Sequence, residues 1–304
     1  METSVPAALP ARSLANVASA LWRSARPRQW IKNGALLAPL IFSRRVALVG
    51  SVERALLSAV LFCALASAVY LFNDLLDRER DRLHPEKRHR PIAAGELPVG
   101  VAGAASALLA AGGLGGALAL SLPFGGAAAA YLVLQLGYSL LLKHLVLIDV
   151  FALAAGFVLR VVAGALAIAV PISNWLYLCT LLLALFLALA KRRAELVALE
   201  EEAGSHRRSL ALYSLPLLDQ LLGIVSACTI VAYSLYTLAA DTLQKFGTDA
   251  LKFTIPCVIF GLFRYLFLIH RHGAGGSPER VLLSDVPLLV DVGLFLGLVV
   301  WALY

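Results

Sequence analysis

The sequence predicts an all-α protein that crosses a membrane many times, and three observations carry that prediction. The chain of 304 residues is 60% hydrophobic and only 15% charged, whereas soluble domains average about 45–50% apolar and about 25% charged residues. Its apolar residues form runs such as Ala55 to Phe72, close to the ~20 residues that cross a bilayer core as a helix. Its charges collect between those runs, and the mean hydropathy reaches +0.83.

Residues 1–20 are rich in Ala, Ser and Pro and are expected to be loose or interfacial. Residues 21–33 are basic and carry Trp22 and Trp30, which suits a short interfacial helix with both rings at headgroup level. Nine spans of one membrane-embedded domain (1–304) are then expected near 31–49, 54–74, 98–120, 124–142, 146–169, 174–191, 218–240, 253–271 and 286–304. Arg44 and Arg45 interrupt the first of them. Gly112, Gly113, Gly115, Gly116 and the Gly125–Gly126 pair would let helices approach closely.

The net charge of +7 does not point to nucleic acid, because the basic residues flank apolar spans and no basic soluble domain exists. They read as topology signals and as ligands for anionic lipid or phosphate. The loops 77–97, 191–217 and 271–284 carry most of them and, with the N-terminus, are placed on the cytoplasmic side of a cell membrane. Arg44, Arg45, Lys245 and Lys252 then face outward, against the rule. Arg12, Arg23, Arg26 and Arg28 leave no apolar core for a cleavable signal peptide. Cys63, Cys179, Cys228 and Cys257 all lie inside apolar runs, far apart, and read as small buried hydrophobes.

The chemistry is expected where the second span ends, at Asn73-Asp74-Leu75-Leu76-Asp77-Arg78-Glu79-Arg80-Asp81. On a helix, Asp74, Asp77 and Asp81 fall within roughly 60° of arc and share one face. Three carboxylates there need neutralising, either by divalent cations with oxygen ligands or by Arg78, Arg80, Arg82, Lys87, Arg88 and Arg90. The plainer alternative is a solvated charged cap. A second cluster, Lys191-Arg192-Arg193-Ala194-Glu195, closes an apolar run, with Lys191 and Glu195 on one face. Arg193 and Arg208 read as a stop signal, and Asp219, Asp241, Asp285 and Asp291 as structural. Within the fifth span, Asp149 and Arg160 lie eleven residues apart on one stripe, as an ion pair or as a substrate-phosphate site. A hard cation together with Lys and Arg suits a diphosphate, whose leaving-group charge grows as its C–O bond breaks.

The Asn73-Asp74-x-x-Asp77-x-x-x-Asp81 pattern, the nine expected spans and the later polar cluster resemble the UbiA-type intramembrane prenyltransferases. Four further stretches resemble the decaprenyl-phosphate phosphoribosyltransferase branch of that superfamily: Arg26-Pro27-Arg28-Gln29-Trp30-Ile31-Lys32-Asn33, His84-Pro85-x-Lys87-Arg88-x-Arg90-Pro91-Ile92-Ala93-Ala94-Gly95, Tyr138-Ser139-x-x-Leu142-Lys143 and Ala190-Lys191-Arg192-x-Ala194-Glu195-Leu196. Aromatic prenyltransferases carry a DxxxD motif after the sixth span, where this chain has Lys-Arg-x-x-Glu. A site holding an anionic acceptor beside a diphosphate donor would favour that exchange of carboxylate for cation.

The resemblance implies a helical bundle around a central cavity open to the cytoplasm and to lipid. It implies transfer of 5-phosphoribose from phosphoribosyl diphosphate to a polyprenyl phosphate, for arabinan or a related glycan, with Mg²⁺ (Mn²⁺ as an alternative) held by Asp74, Asp77 and Asp81. Asp74, Asp77, Lys191 and Arg192 would carry catalysis. Lys87, Arg88, Arg90, Lys191 and Arg192 would clamp diphosphate and ribose phosphate, with Asn73 beside the metal. Lys32, Lys143 or Arg160 would guide the acceptor phosphate, Asn33 and Tyr138 would line the substrate site, and Glu195 would contact ribose hydroxyls or orient Lys191. A homo-oligomer is compatible with this picture; nucleic acid is not a partner. Two rivals stand beside it: an aromatic prenyltransferase of quinone or haem type, and a non-enzymatic lipid transporter with a charged gate.

Overall fold

The apolar runs fold as helices, and in the computed structural model every regular element among the described residues (14–85, 87–201, 212–272 and 278–304) is helical. The chain divides into two compact units, Met1–Pro27 with Ala64–Ala111, and Arg28–Cys63 with Gly112–Tyr304. The α-helices in chain order are α1 (Leu14–Ala25), α2 (Ala38–Phe42), α3 (Val49–Leu76), α4 (Arg78–Leu83), α5 (Val99–Leu120), α6 (Leu122–Leu140), α7 (Ile148–Ala167), α8 (Asn174–Glu201), α9 (Leu215–Leu238), α10 (Ala240–Phe246), α11 (Ile255–His272), α12 (Pro278–Ser284) and α13 (Val286–Leu303).

Seven of the described helices are long and apolar enough to cross a membrane: α3, α5, α7, α8, α9, α11 with its preceding turn, and α13. Of the nine expected spans, 31–49 and 124–142 are the two that differ. The second of these does form a helix, α6, but glycines and Gln135 dilute its apolar character. The first is not one α-helix. Pro27–Leu37 winds as a 3₁₀-helix, α2 lasts five residues, and the chain turns at Arg44, whose φ is +58°. Here the two arginines end the span.

Those arginines and Lys245, cations expected to face outward, each find a backbone partner. Arg44 Nη1 donates to the carbonyl of Phe246 (3.3 Å), Arg45 Nη1 to that of Ile168 (3.1 Å) and Lys245 Nζ to that of Phe42 (3.0 Å). Carbonyls at helix ends lack intrahelical partners, so each cation satisfies a helix terminus.

In the first unit, residues 14–20, expected to be loose or interfacial, form the start of α1. Ala20, Ser24 and Ala25 are buried in that helix, while Leu14 and Trp22 are exposed. Ala20 packs with Leu71, Ile92, Leu97 and Ala102. Ile92 and Leu97 thus nail down the turn after the basic run, which passes through Gly95 at φ +77°, a conformation glycine adopts without a Cβ clash.

In the second unit, α6, α7, α8 and α9 pack successively, and α11 packs on α13. The core holds Val150, Phe186, Leu189, Leu218, Leu222, Tyr265 and Leu288. An apolar groove of about 470 Å³ opens between α6 and α7, lined by Leu134, Leu142, Leu147, Ile148 and Phe151. A close backbone approach occurs at Gly164, where a Cβ would lie 2.1 Å from the carbonyl oxygen of Leu36. Gly164→Ala is therefore expected to cost about 1–3 kcal/mol, read as a lower midpoint for heat-induced loss of monodisperse protein in detergent.

Candidate functional site

Two buried polar clusters and one isolated buried arginine hold the charge. The first cluster lies in the first unit, at the α3–α4 joint. The acidic ridge is not one continuous helix: α3 ends at Leu76, and Asp77 sits between the two helices at φ −89°, ψ 5°. Backbone bonds from Asp77 N–H to Asn73 (2.9 Å) and from Asp81 N–H to Asp77 (2.8 Å) carry the helical pattern across the break. Asp74 and Asp81, two turns apart, therefore stay on one side. Asp74 is 2% exposed and Asp81 5%, whereas Asp77 is half-buried.

A single atom links the two buried carboxylates. Arg90 Nη1 lies 3.0 Å from Asp74 Oδ1 and 2.6 Å from Asp81 Oδ2, and Arg26 Nη2 meets the same Asp74 oxygen at 2.5 Å. The Arg26 guanidinium rests 5.1 Å from the Tyr70 ring, after a backbone turn at φ +54°. Arg90 is brought here by the anchored turn that follows it. Burial pushes the Asp81 carboxyl above its ordinary range, and the charge of Arg90 opposes that push. Of the other residues predicted here, Lys87 is half-buried beside His84, with its backbone N–H 3.4 Å from His84 Nδ1, and Arg88 is exposed against His89. Asn73 is half-buried.

These residues fit a hard divalent cation in chemistry, though not as a ready-made triad. Among the described residues, no three His, Cys, Asp or Glu side chains converge as a metal cluster. Yet the Arg90 nitrogen marks one point within reach of two carboxylates, and a cation already stands there. Asp74 and Asp81, with Asp77 at the joint, supply the oxygen ligands that Mg²⁺ prefers.

The second cluster lies in the second unit. Arg192 on α8 is 1% exposed and Asp149 on α7 fully buried. Arg192 Nε lies 2.7 Å from Asp149 Oδ2, as an ion pair rather than an aligned hydrogen bond. Arg192 Nη2 donates to the Tyr138 hydroxyl at 2.6 Å, and Nη1 pairs with Glu195. Tyr213 donates to Asp149 Oδ1 at 2.7 Å and accepts from the Leu147 N–H at 2.7 Å. Of the two readings of the Asp149–Arg160 stripe, an ion pair between them does not form: eleven residues of helix separate them by about 16 Å, and Asp149 turns to Arg192. Lys191 is half-buried and Lys143 is buried at the α6–α7 turn. Arg193 pairs with Asp219 at 2.5 Å, and Asp285 accepts from Arg264 and from Leu288 N–H at the start of α13, consistent with structural roles. Arg208 lies outside the described residues.

Arg160, 4% exposed, meets neutral groups. It donates to Asn33 Oδ1, Gly156 O and the Tyr131 hydroxyl, each at 2.9 Å, and stacks 4.8 Å from the Tyr131 ring. Among the described residues no carboxylate pairs with it. Cation–π contact and three acceptors hold it in place of an anion. Lys32 reaches Gln29 Oε1 at 2.8 Å.

Sequence reasoning missed the roles of three participants and the partner of a fourth. Arg26 stood inside a quoted motif without a role. Tyr131 and Tyr213 offer no signal along the chain, because a lone tyrosine in or beside an apolar run reads as core. Asp149 was noticed, but its partner lies 43 positions away on another helix.

The chain is thus a helical membrane protein that buries a carboxylate–arginine cluster at a helix joint and, in its second unit, a further guanidinium held by a carboxylate. The comparisons place that class in a family. The chain belongs to the UbiA prenyltransferase family, whose description matches residues 36–282. It is 36% identical to the decaprenyl-phosphate phosphoribosyltransferase of Corynebacterium glutamicum, across 95% of this chain and 88% of that one. It is 33% identical to the protein of the same name from Mycolicibacterium smegmatis, across 95% and 94%. In fold it is similar to a UbiA homolog from Archaeoglobus fulgidus solved with GPP and Mg²⁺, at a TM-score of 0.71 and 21% identity, covering 93% of this chain and 99% of that one.

Proposed function

We propose that this protein transfers 5-phosphoribose from phosphoribosyl diphosphate to a polyprenyl phosphate. The observation that carries the reading is the Arg90 nitrogen shared by Asp74 and Asp81, joined to the likeness to enzymes named for this transfer. Asp74, Asp77 and Asp81 would hold Mg²⁺. When bound, that cation supplies electrostatic neutralisation of the diphosphate oxygens.

Arg26 and Arg90 orient the two buried carboxylates and keep further N–H donors for phosphate oxygens, since each guanidinium has five. An oxygen of the lipid phosphate attacks ribose C1. The C1–O bond to diphosphate breaks, and its electron pair leaves with the diphosphate. The attacking phosphate is already anionic near neutral pH, so the step needs no general base. Lys87, Arg88, Lys191 and Arg192 serve the donor's phosphates, Lys32 and Lys143 the acceptor phosphate, and Asn33, Asn73, Tyr138 and Glu195 support them. Arg160, held by neutral groups, contributes long-range positive potential. The groove between α6 and α7 offers an apolar bed for the polyprenyl tail. By charge distribution the donor enters from the cytoplasmic face, and the product is a lipid-linked pentose fit to feed glycan assembly.

The test supplies purified protein with labelled phosphoribosyl diphosphate, polyprenyl phosphate and Mg²⁺. Label is expected in the organic phase, lost with EDTA and restored by excess Mg²⁺. No labelled lipid, together with activity on a prenyl diphosphate and an aromatic acid, would replace this reading by aromatic prenylation.

A further inference from the structure

We propose that Tyr213 is a positioning residue for Arg192, and through it for the phosphoribosyl donor; the inference rests on the function proposed above. Tyr213 belongs to the short stretch before α9, away in sequence from every residue so far given a role. Its ring is 5% exposed and packs in the core with Val150 and Leu218. Its hydroxyl has one proton and one task for it. Because that oxygen accepts from the Leu147 N–H at 2.7 Å, the proton is directed to the other side, at Asp149 Oδ1, 2.7 Å away.

The recipient is the carboxylate that holds Arg192. Asp149 is fully buried. Its Oδ1 takes the Tyr213 hydroxyl and the Val150 N–H (2.9 Å), and its Oδ2 faces Arg192 Nε at 2.7 Å. The two oxygens share one plane, so the pair of donors on Oδ1 sets the angle at which Oδ2 meets the guanidinium. Leu147 is itself at φ +65°, a region unfavourable for a side chain with a branched bulk. The Tyr213 oxygen receives its N–H and holds it there. Burial, and then the bond to Asp149, push the Tyr213 hydroxyl above its ordinary ionisation range, so it remains a donor at every pH of interest. The chain runs Leu147, Tyr213, Asp149, Arg192, with each member orienting the next.

The experiment compares wild type with Tyr213→Phe, which keeps the ring in the core and removes the hydroxyl. Steady-state transfer is measured with each substrate varied in turn, alongside heat tolerance in detergent. The expected result is a KM for phosphoribosyl diphosphate raised about tenfold, the scale of one lost buried hydrogen bond. The KM for polyprenyl phosphate stays near wild type, and the heat midpoint falls only modestly, because the Leu147 N–H and Asp149 Oδ1 each lose one partner. Asp149→Asn, which keeps an acceptor for Tyr213 but weakens the grip on Arg192, is expected to give the same donor-specific change in KM, together with a lower heat midpoint because the buried Arg192 charge is left with Glu195 alone. The two together should be less than additive. Equal changes in both KM values, no change at all, or loss of folded protein in both variants would overturn the proposal by making the contact purely structural. An inactive wild type would instead overturn the proposed reaction, so the two failures are distinguishable.

Discussion

Asp74→Asn is expected to lower the rate of phosphoribosyl transfer to lipid by at least about a hundredfold, in line with removing one preorganised electrostatic group from a charge-handling site. The substitution keeps shape and one oxygen but removes the charge. Asp74 Oδ1 is the acceptor for both Arg26 and Arg90, so its neutralisation leaves Arg26 without a carboxylate, leaves Arg90 paired with Asp81 alone, and removes one charged ligand for Mg²⁺. The neighbouring Glu79→Gln is the control: its side chain is 73% exposed and pairs only with arginines of its own helix. It is expected to stay within about twofold of wild type, because exposed pairs contribute little. The check is label extracted into the organic phase at saturating substrate. A rate for Asp74→Asn near that of Glu79→Gln would make the acidic ridge a charged cap and remove the basis of the proposed chemistry.

Breaking the second cluster is expected to act on stability. Arg192→Ala, or Asp149→Ala, leaves one buried charge without its partner, at about 3–5 kcal/mol. Replacing both, as Arg192→Met with Asp149→Leu, removes the uncompensated charge and is expected to recover most of that loss. Arg192 is not released from charge altogether when Asp149 alone is cut, because Glu195 remains, so Asp149→Ala should be the milder of the two. The measurement is the heat midpoint of the detergent-solubilised protein in a double-mutant cycle. Additive losses would show that Asp149 and Arg192 are not energetically coupled. The rescued double variant should still be impaired in transfer, since it has lost the guanidinium.

Much of this could be read along the chain, and the reason is physical. Helix in a membrane is a local property: an apolar run such as Ala55 to Phe72 needs no partner to be recognised. The acidic stretch announces itself because charge at the end of such a run is expensive. The first expected span failed where local reading is weakest. Apolar content suggested a helix over 31–49, but Arg44 and Arg45 were drawn to the carbonyls of Phe246 and Ile168, more than a hundred positions away. The start of α1 failed in the opposite direction, since an Ala/Ser-rich segment looks loose until Leu71, Ile92 and Leu97 offer Ala20 a surface.

Pairings of charge were beyond reach of any local argument. Arg160 and Asp149 shared a stripe of one helix, yet Arg160 found Asn33, 127 positions distant, and Asp149 found Arg192 and Tyr213. Periodicity says which side of a helix a residue faces and is silent on what waits there.

The amino-acid order alone thus determined that this is a helical membrane protein with a dense stretch of acidic and basic residues at the end of its second apolar run, because hydrophobic length and charge position act over a few neighbouring residues. Only the tertiary structure decided which charges neutralise which. Coulombic partners are chosen by distance in space, and helices that pack side by side bring together residues the chain keeps far apart.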